Sequence, residues 1–387
     1  MFKPISGGSI VNIQGLDCHI PPVGKVWNHF TNKLEDRDIY KRSLSKNDQY
    51  WEIPPVPKDY KKILAVERNK RNFIKTYFDP ALQDHRDREW DRTTNGFWFY
   101  VKGTPVYITG QHYFMLTQWS ISGVRPDYRT TDREWHYFFE YVWYDPFSVG
   151  MLEINRRRDG KSVRAGCAAF YRTSRACGKV CGIQSKTDDD AARLFTKQIV
   201  NPLKKIDPFF LPNLDRAKGF PPKSILSFNK TAQRGASKVS EDEQELNSEI
   251  SFRASGEKAY DGEQLYFYIA DECGKSDRAN VYKRHEIVEP CMYINGTQLV
   301  GKMLYTTTVE DIGDSDMYSE GNFKRLWDES NQAKKDSGTN KTISGLYRYF
   351  LSSERSLSYD KYGDPRSEEN LRIIRAERAS RVSNPAK

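Results

Sequence analysis

The segment Ile154-Asn-Arg-Arg-Arg-Asp-Gly-Lys-Ser162 gathers residue types suited to holding an oxyanion. A glycine lets backbone approach a ligand closely, and the free N–H groups at a helix start attract negative charge. In the phosphate-cradling pattern G-x-x-x-x-G-K-[ST], Gly160, Lys161 and Ser162 fill the last three positions, and Asn155 stands where the first Gly belongs. Lys161 would neutralise β- and γ-phosphates, and the Ser162 hydroxyl would ligate Mg2+. Asn tolerates left-handed backbone angles better than most residues, so Asn155 is expected to replace that Gly conformationally. Arg156, Arg157 and Arg158, next to Asp159, repel one another on a short turn unless an anion gathers them. A triphosphate is such an anion, and one arginine would then act as a finger in cis. Solvated side chains or structural ion pairs are the plainer reading for at least one of the three. A bare GKS also recurs by chance at helix starts, so its strand–loop–helix setting is what favours a site.

The run Leu265-Tyr-Phe-Tyr-Ile-Ala-Asp-Glu272 is an apolar strand ending in two acids. At the C-terminal edge of a parallel sheet such carboxylates face the ligand crevice. Asp271 is expected to hold Mg2+ through water, and Glu272 to orient and deprotonate an attacking water. Alone, an Asp-Glu pair often only ends a strand; its coincidence with Lys161 and Ser162 carries the weight. Leu304-Tyr-Thr-Thr-Thr308 is a third apolar strand ending in hydroxyls, so Thr306, Thr307 and Thr308 are candidates to sense the γ-phosphate, although Thr-rich strand ends are also ordinary structure. Gln111, within Tyr107-Ile-Thr-Gly-Gln-His-Tyr-Phe114, has an amide that both donates and accepts, matching an adenine edge. A plain surface Gln is the alternative.

These groups need a scaffold, and the chain alternates strands and helices from Phe147 onward. Strands are expected at Val149–Ile154, Val180–Ile183, Ser224–Phe228, Ile250–Phe252, Leu265–Ala270 and Leu299–Tyr305. Helices are expected at Ser162–Ser174, Asp188–Ile206, Arg278–Val288 and Glu368–Arg381. Such alternation indicates βαβ units around a mostly parallel sheet flanked by helices. Upstream, helices are expected within Tyr60–Trp90, strands at Gly96–Val101 and Val106–Ile108, and a helix from Asp132 to Tyr144 with Asp132 as its N-cap. Ala236–Glu249 reads as a mobile polar loop. Three regions follow: an extended, loosely structured arm over 1–60, a sheet domain over 61–312 that carries the loop and the acids, and a lid or linker over 313–387.

Of 387 residues, 37% are hydrophobic and 13% aromatic, enough to fill a core and exclude disorder throughout. No apolar run approaches the roughly 20 residues that cross a bilayer, and Met1–Gly8 lacks a signal peptide's apolar stretch. A soluble cytoplasmic protein is expected, without a membrane partner. Six cysteines without a CxxC pair read as free thiols rather than a zinc site. The net charge of +9 is modest support for a polyanionic partner.

Taken in order, Gln111, Arg157-Arg-Asp-Gly-Lys-Ser162, Ile269-Ala-Asp-Glu272 and Thr306–Thr308 resemble the large subunit of tailed-phage terminases, and Tyr107–Phe114 resembles those of phages infecting gut bacteria. The resemblance spans roughly 95–310 and continues less specifically through Tyr359-Asp-Lys-Tyr-Gly-Asp-Pro365. It implies an ASCE-type, RecA-like P-loop NTPase that hydrolyses ATP with Mg2+ to drive double-stranded DNA into a procapsid. By carry-over, Gln111 would contact adenine and Arg157 would be the loop arginine. Lys161 and Ser162 would grip phosphate and metal, Asp271 would hold metal and Glu272 would be the base. Thr306–Thr308 would couple hydrolysis to DNA movement. Implied partners are duplex DNA, the portal protein, the small terminase subunit and further copies in a ring, in the infected host's cytoplasm and transiently at the portal. Family members usually carry an RNase H-like nuclease; the 79 residues after Thr308 are fewer than such a domain needs, so no nuclease is expected within this chain.

Two other classes compete. A two-lobed P-loop helicase, or another nucleic-acid-dependent ATPase, shares these motifs, but a helicase needs a second lobe after Thr308. A non-catalytic phage structural protein would make the GKS accidental. For a motor, phosphate contacts from Lys and Arg, including Lys230 and Arg234, would grip DNA without reading its sequence.

Overall fold

The computed structural model describes residues 7–40, 51–70, 79–214, 221–228, 246–276, 278–308, 340–342 and 344–383. Lys230, Arg234, the polar stretch 236–245 and residues 313–339 of the expected lid lie outside the described residues.

Residues 9–36 depart from the expected loose arm. They form two hairpins, β1 (Ser9–Ile13) with β2 (Leu16–Ile20) and β3 (Lys25–Asn28) with β4 (Lys33–Asp36). The alternation Leu16, Cys18, Ile20 sends one face inward, and with Ile13 and Val26 these residues join the main core. Helices α1 (Tyr60–Lys70) and α2 (Gln83–Asn95) follow, then the hairpin β5 (Phe97–Val101) and β6 (Thr104–Ile108). Next come α3 (Gly110–Thr117), capped by the Thr109 side chain, and α4 (Thr130–Tyr144). Asp132 is not the N-cap of α4. The helix starts two residues earlier, and Asp132 is buried in its first turn against Arg164.

The central sheet is built from β7 (Gly150–Asn155), β8 (Val180–Gln184), β9 (Ile225–Ser227), β10 (Glu249–Phe252), β11 (Phe267–Ala270), β14 (Lys302–Thr308) and β15 (Leu346–Leu351), the short hairpin β12 (Tyr293–Ile294) and β13 (Gln298–Leu299) standing apart from it. Its order is β15-β7-β14-β11-β8-β10-β9, and every pairing is parallel except β9 with β10. β10 adds a sixth parallel strand outside β8; numbering the other five, β7, β8, β11, β14 and β15, as one to five gives the order 5-1-4-3-2. One strand, β14, is thus inserted between the loop strand β7 and the acid strand β11. This is the ASCE arrangement of the P-loop NTPase fold.

β7 and β14 are buried along their whole length, as strands covered on both faces must be. Successive residues alternate between two cores. Met151, Phe267, Ile269, Leu304 and Tyr349 enter the larger one, beneath α5 (Lys161–Thr173). Leu152, Ile154, Tyr268, Met303 and Tyr305 enter the smaller one, shared with α7 (Val281–Val288). α6 (Asp188–Leu194) runs on through a π-turn and a 3-10 turn to Lys205, close to the expected long helix. β15 falls within the stretch expected to be lid or linker. Its apolar Leu346-x-x-Tyr349-x-Leu351 positions close the sheet beside β7, so the sheet extends beyond residue 312.

Candidate active site

The loop between β7 and α5 reaches left-handed backbone at Arg158 (φ 64°) and Gly160 (φ 91°). Gly160 caps α5, with the N–H groups of Val163 and Arg164 donating to its carbonyl. Asn155 does not take the conformation expected of a missing glycine: it is the last residue of β7, in register with Thr308 and Leu351. Its role is stitching. Its Nδ2 donates to Glu153 Oε1 (2.6 Å) and Asp159 Oδ2 (2.7 Å), and its Oδ1 accepts from Leu351 N–H (2.9 Å).

Beneath the loop lies a charge cluster that the sequence patterns did not single out. Arg164, one turn into α5, pairs with Asp132 (2.7 Å), Glu153 (2.5 Å) and Asp159 (2.7 Å), all buried. Burial works against the Arg164 charge, but Glu153, Asp159 and Asp132 hold its pKa well above the ordinary arginine value. Loop, strand and two helices are thereby tied to one guanidinium. Lys161 is itself nearly buried, and its Nζ donates to the Arg156 carbonyl (3.0 Å). Burial pulls its pKa below the usual lysine value, while Glu153, Glu272, Asp159 and Asp271 pull upward. Arg157 and Arg158 are exposed and Arg156 is half-buried; among the described residues the Arg156 Nε and the buried Asp159 Oδ1 have no partner.

The acid pair arrives at the same sheet edge. Asp271 directly follows β11, and both its carboxylate oxygens face Ser162 Oγ, at 3.4 and 3.3 Å. Thr306 Oγ1 donates to Asp271 Oδ1 (2.5 Å). Burial pushes the Asp271 carboxyl up to about 6, an effect the Thr306 bond and Lys161 resist and Glu272 reinforces. Glu272 has left-handed backbone (φ 50°), and its Oε2 meets Lys275 Nζ (3.0 Å) and Thr308 Oγ1 (3.2 Å). Thr307 is not part of this group. Strand alternation sends Thr306 and Thr308 to one face and Thr307 to the other, where its hydroxyl donates to the Thr308 carbonyl. The structure thus brings together Lys161, Ser162, Asp271, Glu272, Thr306 and Thr308.

Gln111 is elsewhere. It lies in the first turn of α3, fully buried, with its Oε1 accepting from Arg172 Nε (2.9 Å). Arg172 is in the last turn of α5, eleven residues and roughly 16 Å of helix rise from Lys161. The amide's Nε2 is buried without a partner among the described residues, and Met115, one turn further along α3, lines the space beside the loop. A cavity of about 260 Å³ adjoins the loop, lined by Asp159, Gly160, Val163 and Arg164, by the apolar Met115, Ile121 and Val124, and by the charged Arg125, Asp127, Arg129 and Asp132. Its only sequence signal is a pair of apolar residues exposed on a Ser-Gly turn: Val124 is 70% exposed and Ile121 40%.

Ser162 Oγ and the Asp271 carboxylate are a hard-oxygen donor pair. Their separations are about half an ångström longer than an ordinary O–H···O bond, and among the described residues no cationic side chain is in ion-pair contact with the buried carboxylate. That chemistry fits Mg2+, which commonly takes one or two protein oxygens and completes its shell with water and phosphate. Among the described residues, no three His, Cys, Asp or Glu side chains group to hold a metal on their own.

No family model matches the chain, and no curated protein matches it. Among solved structures it is similar to the ATPase domain of the large terminase of Thermus phage P74-26, at 16% identity and TM-score 0.41, covering 70% of this chain and 92% of that one. A point mutant of that domain gives 17% identity and TM-score 0.39 over the same shares. The large terminase of another thermophilic bacteriophage gives 13% identity and TM-score 0.33, covering 55% of this chain and 43% of that one.

Proposed function

We propose that this chain is an ATP hydrolase, the motor portion of a viral large terminase. The observation that supports it is the convergence of Lys161, Ser162, Asp271 and Glu272 at one edge of a 5-1-4-3-2 sheet. In this reading the loop N–H groups and Lys161 hold the β- and γ-phosphates of ATP, Lys161 exchanging the Arg156 carbonyl for phosphate oxygen. Ser162 and Asp271 would hold Mg2+, which when bound supplies charge neutralisation on the phosphates. Glu272 takes the proton of a water attacking the γ-phosphate in line, and Arg157 folds in to offset the developing charge. Thr306 fixes the Asp271 carboxylate, and Thr308 links Glu272 to the central strand. The base enters the cavity beside Val163 and Met115.

The ATPase unit extends beyond 312 to include β15 at Leu346–Leu351, with the C-terminal helix Ser367–Ser383 beyond it. DNA packaging is the finer part of the proposal: a ring of copies at a portal, supplied by a small subunit, moving duplex DNA by its phosphates in the host cytoplasm. No helix among the described residues is long and apolar enough to cross a membrane.

Steady-state hydrolysis of radiolabelled ATP tests the core of the reading. Lys161→Ala is expected to abolish turnover. Glu272→Gln is expected to bind ATP but to lose kcat by 100-fold or more, as an order of magnitude for a removed general base. Rates for Lys161→Ala equal to wild type would remove the loop from the mechanism. Stimulation by duplex rather than single-stranded DNA would support the packaging role.

A further inference from the structure

We infer that Lys275 is a positioning residue for Glu272, setting which carboxylate oxygen faces the attacking water; the inference rests on Glu272 being the base. Lys275 Nζ and Thr308 Oγ1 both reach the same atom, Glu272 Oε2, at 3.0 and 3.2 Å. Among the described residues Oε1 has no partner, so one oxygen is gripped from two sides and the other is left to accept a proton. Local backbone builds this arrangement. Glu272 turns through left-handed φ, and the 3-10 turn Cys273–Lys275 follows, closed by Lys275 N–H donating to the Glu272 carbonyl (3.0 Å). A 3-10 turn stacks residues i and i+3, which returns the lysine over the glutamate.

The lysine side chain is only 9% exposed and the glutamate 24%, so the pair is held in the site and is not a solvated surface contact. Thr308 belongs to β14, the strand between the acid strand and the loop strand, in register with Asn155. The Thr308 grip therefore ties the carboxylate to the strand beside the loop, and the Lys275 grip holds the same oxygen from its own turn. Misplacement of a reacting group by about 1 Å can cost on the order of 100-fold in rate.

The test compares the full chain with Lys275→Met, Lys275→Arg, Glu272→Gln and the Lys275→Met/Glu272→Gln double variant. The readouts are kcat, KM for ATP, binding of a fluorescent ATP analogue, and Tm. Lys275→Met is expected to lower kcat roughly 10- to 100-fold with nucleotide affinity within about two-fold of wild type. Lys275→Arg should recover most of that loss, and the double variant should be no slower than Glu272→Gln alone. Thr308→Val, which frees the same oxygen without touching the lysine, should give a smaller loss confined to kcat, and it stands in if Lys275→Met fails to fold. A Lys275→Met kcat at or above wild type, an Arg variant as slow as Met, or additive losses in the double variant would overturn the inference and leave the base assignment intact. Normal turnover by Glu272→Gln would instead remove the base itself.

Discussion

At the scale of single residues, the three threonines at the end of β14 separate chemistry from packing. Thr306 bonds the Asp271 carboxylate, whereas Thr307 satisfies itself on its own strand. A hydrogen bond to a charged group contributes about 1.5–3 kcal/mol, so Thr306→Val is expected to weaken Mg2+-dependent ATP hydrolysis by ten-fold or more. Thr307→Val, equal in size and on the opposite face, should stay within about two-fold of wild type in the same assay. Residue types alone marked all three as equal candidates, because a run of identical residues carries no record of which faces the ligand. Gln111 shows the same limit from the other side. Its amide suits a base edge, but tertiary packing engages its oxygen with the Arg172 guanidinium.

At the scale of elements, the loop is held in shape less by its own glycine than by what lies beneath it. Arg164 on α5 is surrounded by Asp132 from α4, Glu153 from β7 and Asp159 from the loop. Burial also raises the Asp132 pKa above the ordinary aspartate value, against the pull of Arg164. Removing one partner of a buried ion network leaves uncompensated charge and costs about 3–5 kcal/mol. Arg164→Met is therefore expected to lower unfolding stability in urea by that amount, and to weaken ATP binding because Asp159 loses its anchor. The strand–loop–helix unit itself was legible, since β7 and α5 are contiguous and strongly patterned. The cluster was not, because its acids come from positions 132, 153 and 159 on separate elements and share no motif.

At the scale of the whole molecule, α3 and α4 meet in a buried histidine pair. The His112 and His136 rings stack at 4.6 Å, and none of their four ring nitrogens has a partner among the described residues. Burial, with Arg133 nearby, lowers the His112 pKa to about 3. Burial, then His112, Arg164 and Arg172, lowers His136 well below its ordinary value. Both rings are thus neutral when folded and take up protons on unfolding. Their contribution to stability is fully present above the unfolded value of about 6.5 and is lost as pH falls from there toward the folded values. Each ring adds a slope of about 1.4 kcal/mol per pH unit in that window. Thermal unfolding between pH 7 and pH 5 should show the loss, and His136→Phe should reduce its slope.

The sequence by itself determined the alternation of strands and helices, the mostly parallel sheet, and the loop and acid motifs, because each depends on neighbours along the chain. The hairpins of the first 40 residues and the closing strand β15 escaped it, since their short apolar alternations acquire meaning only against a surface already folded. Tertiary structure alone decided that β14 lies between Asn155 and Asp271, and that Lys161, Ser162 and the two acids share one edge. It also buried Gln111 and brought Thr308 to Glu272. Those outcomes depend on which strands pair and which faces are covered, and such long-range choices are made by packing rather than by local propensity.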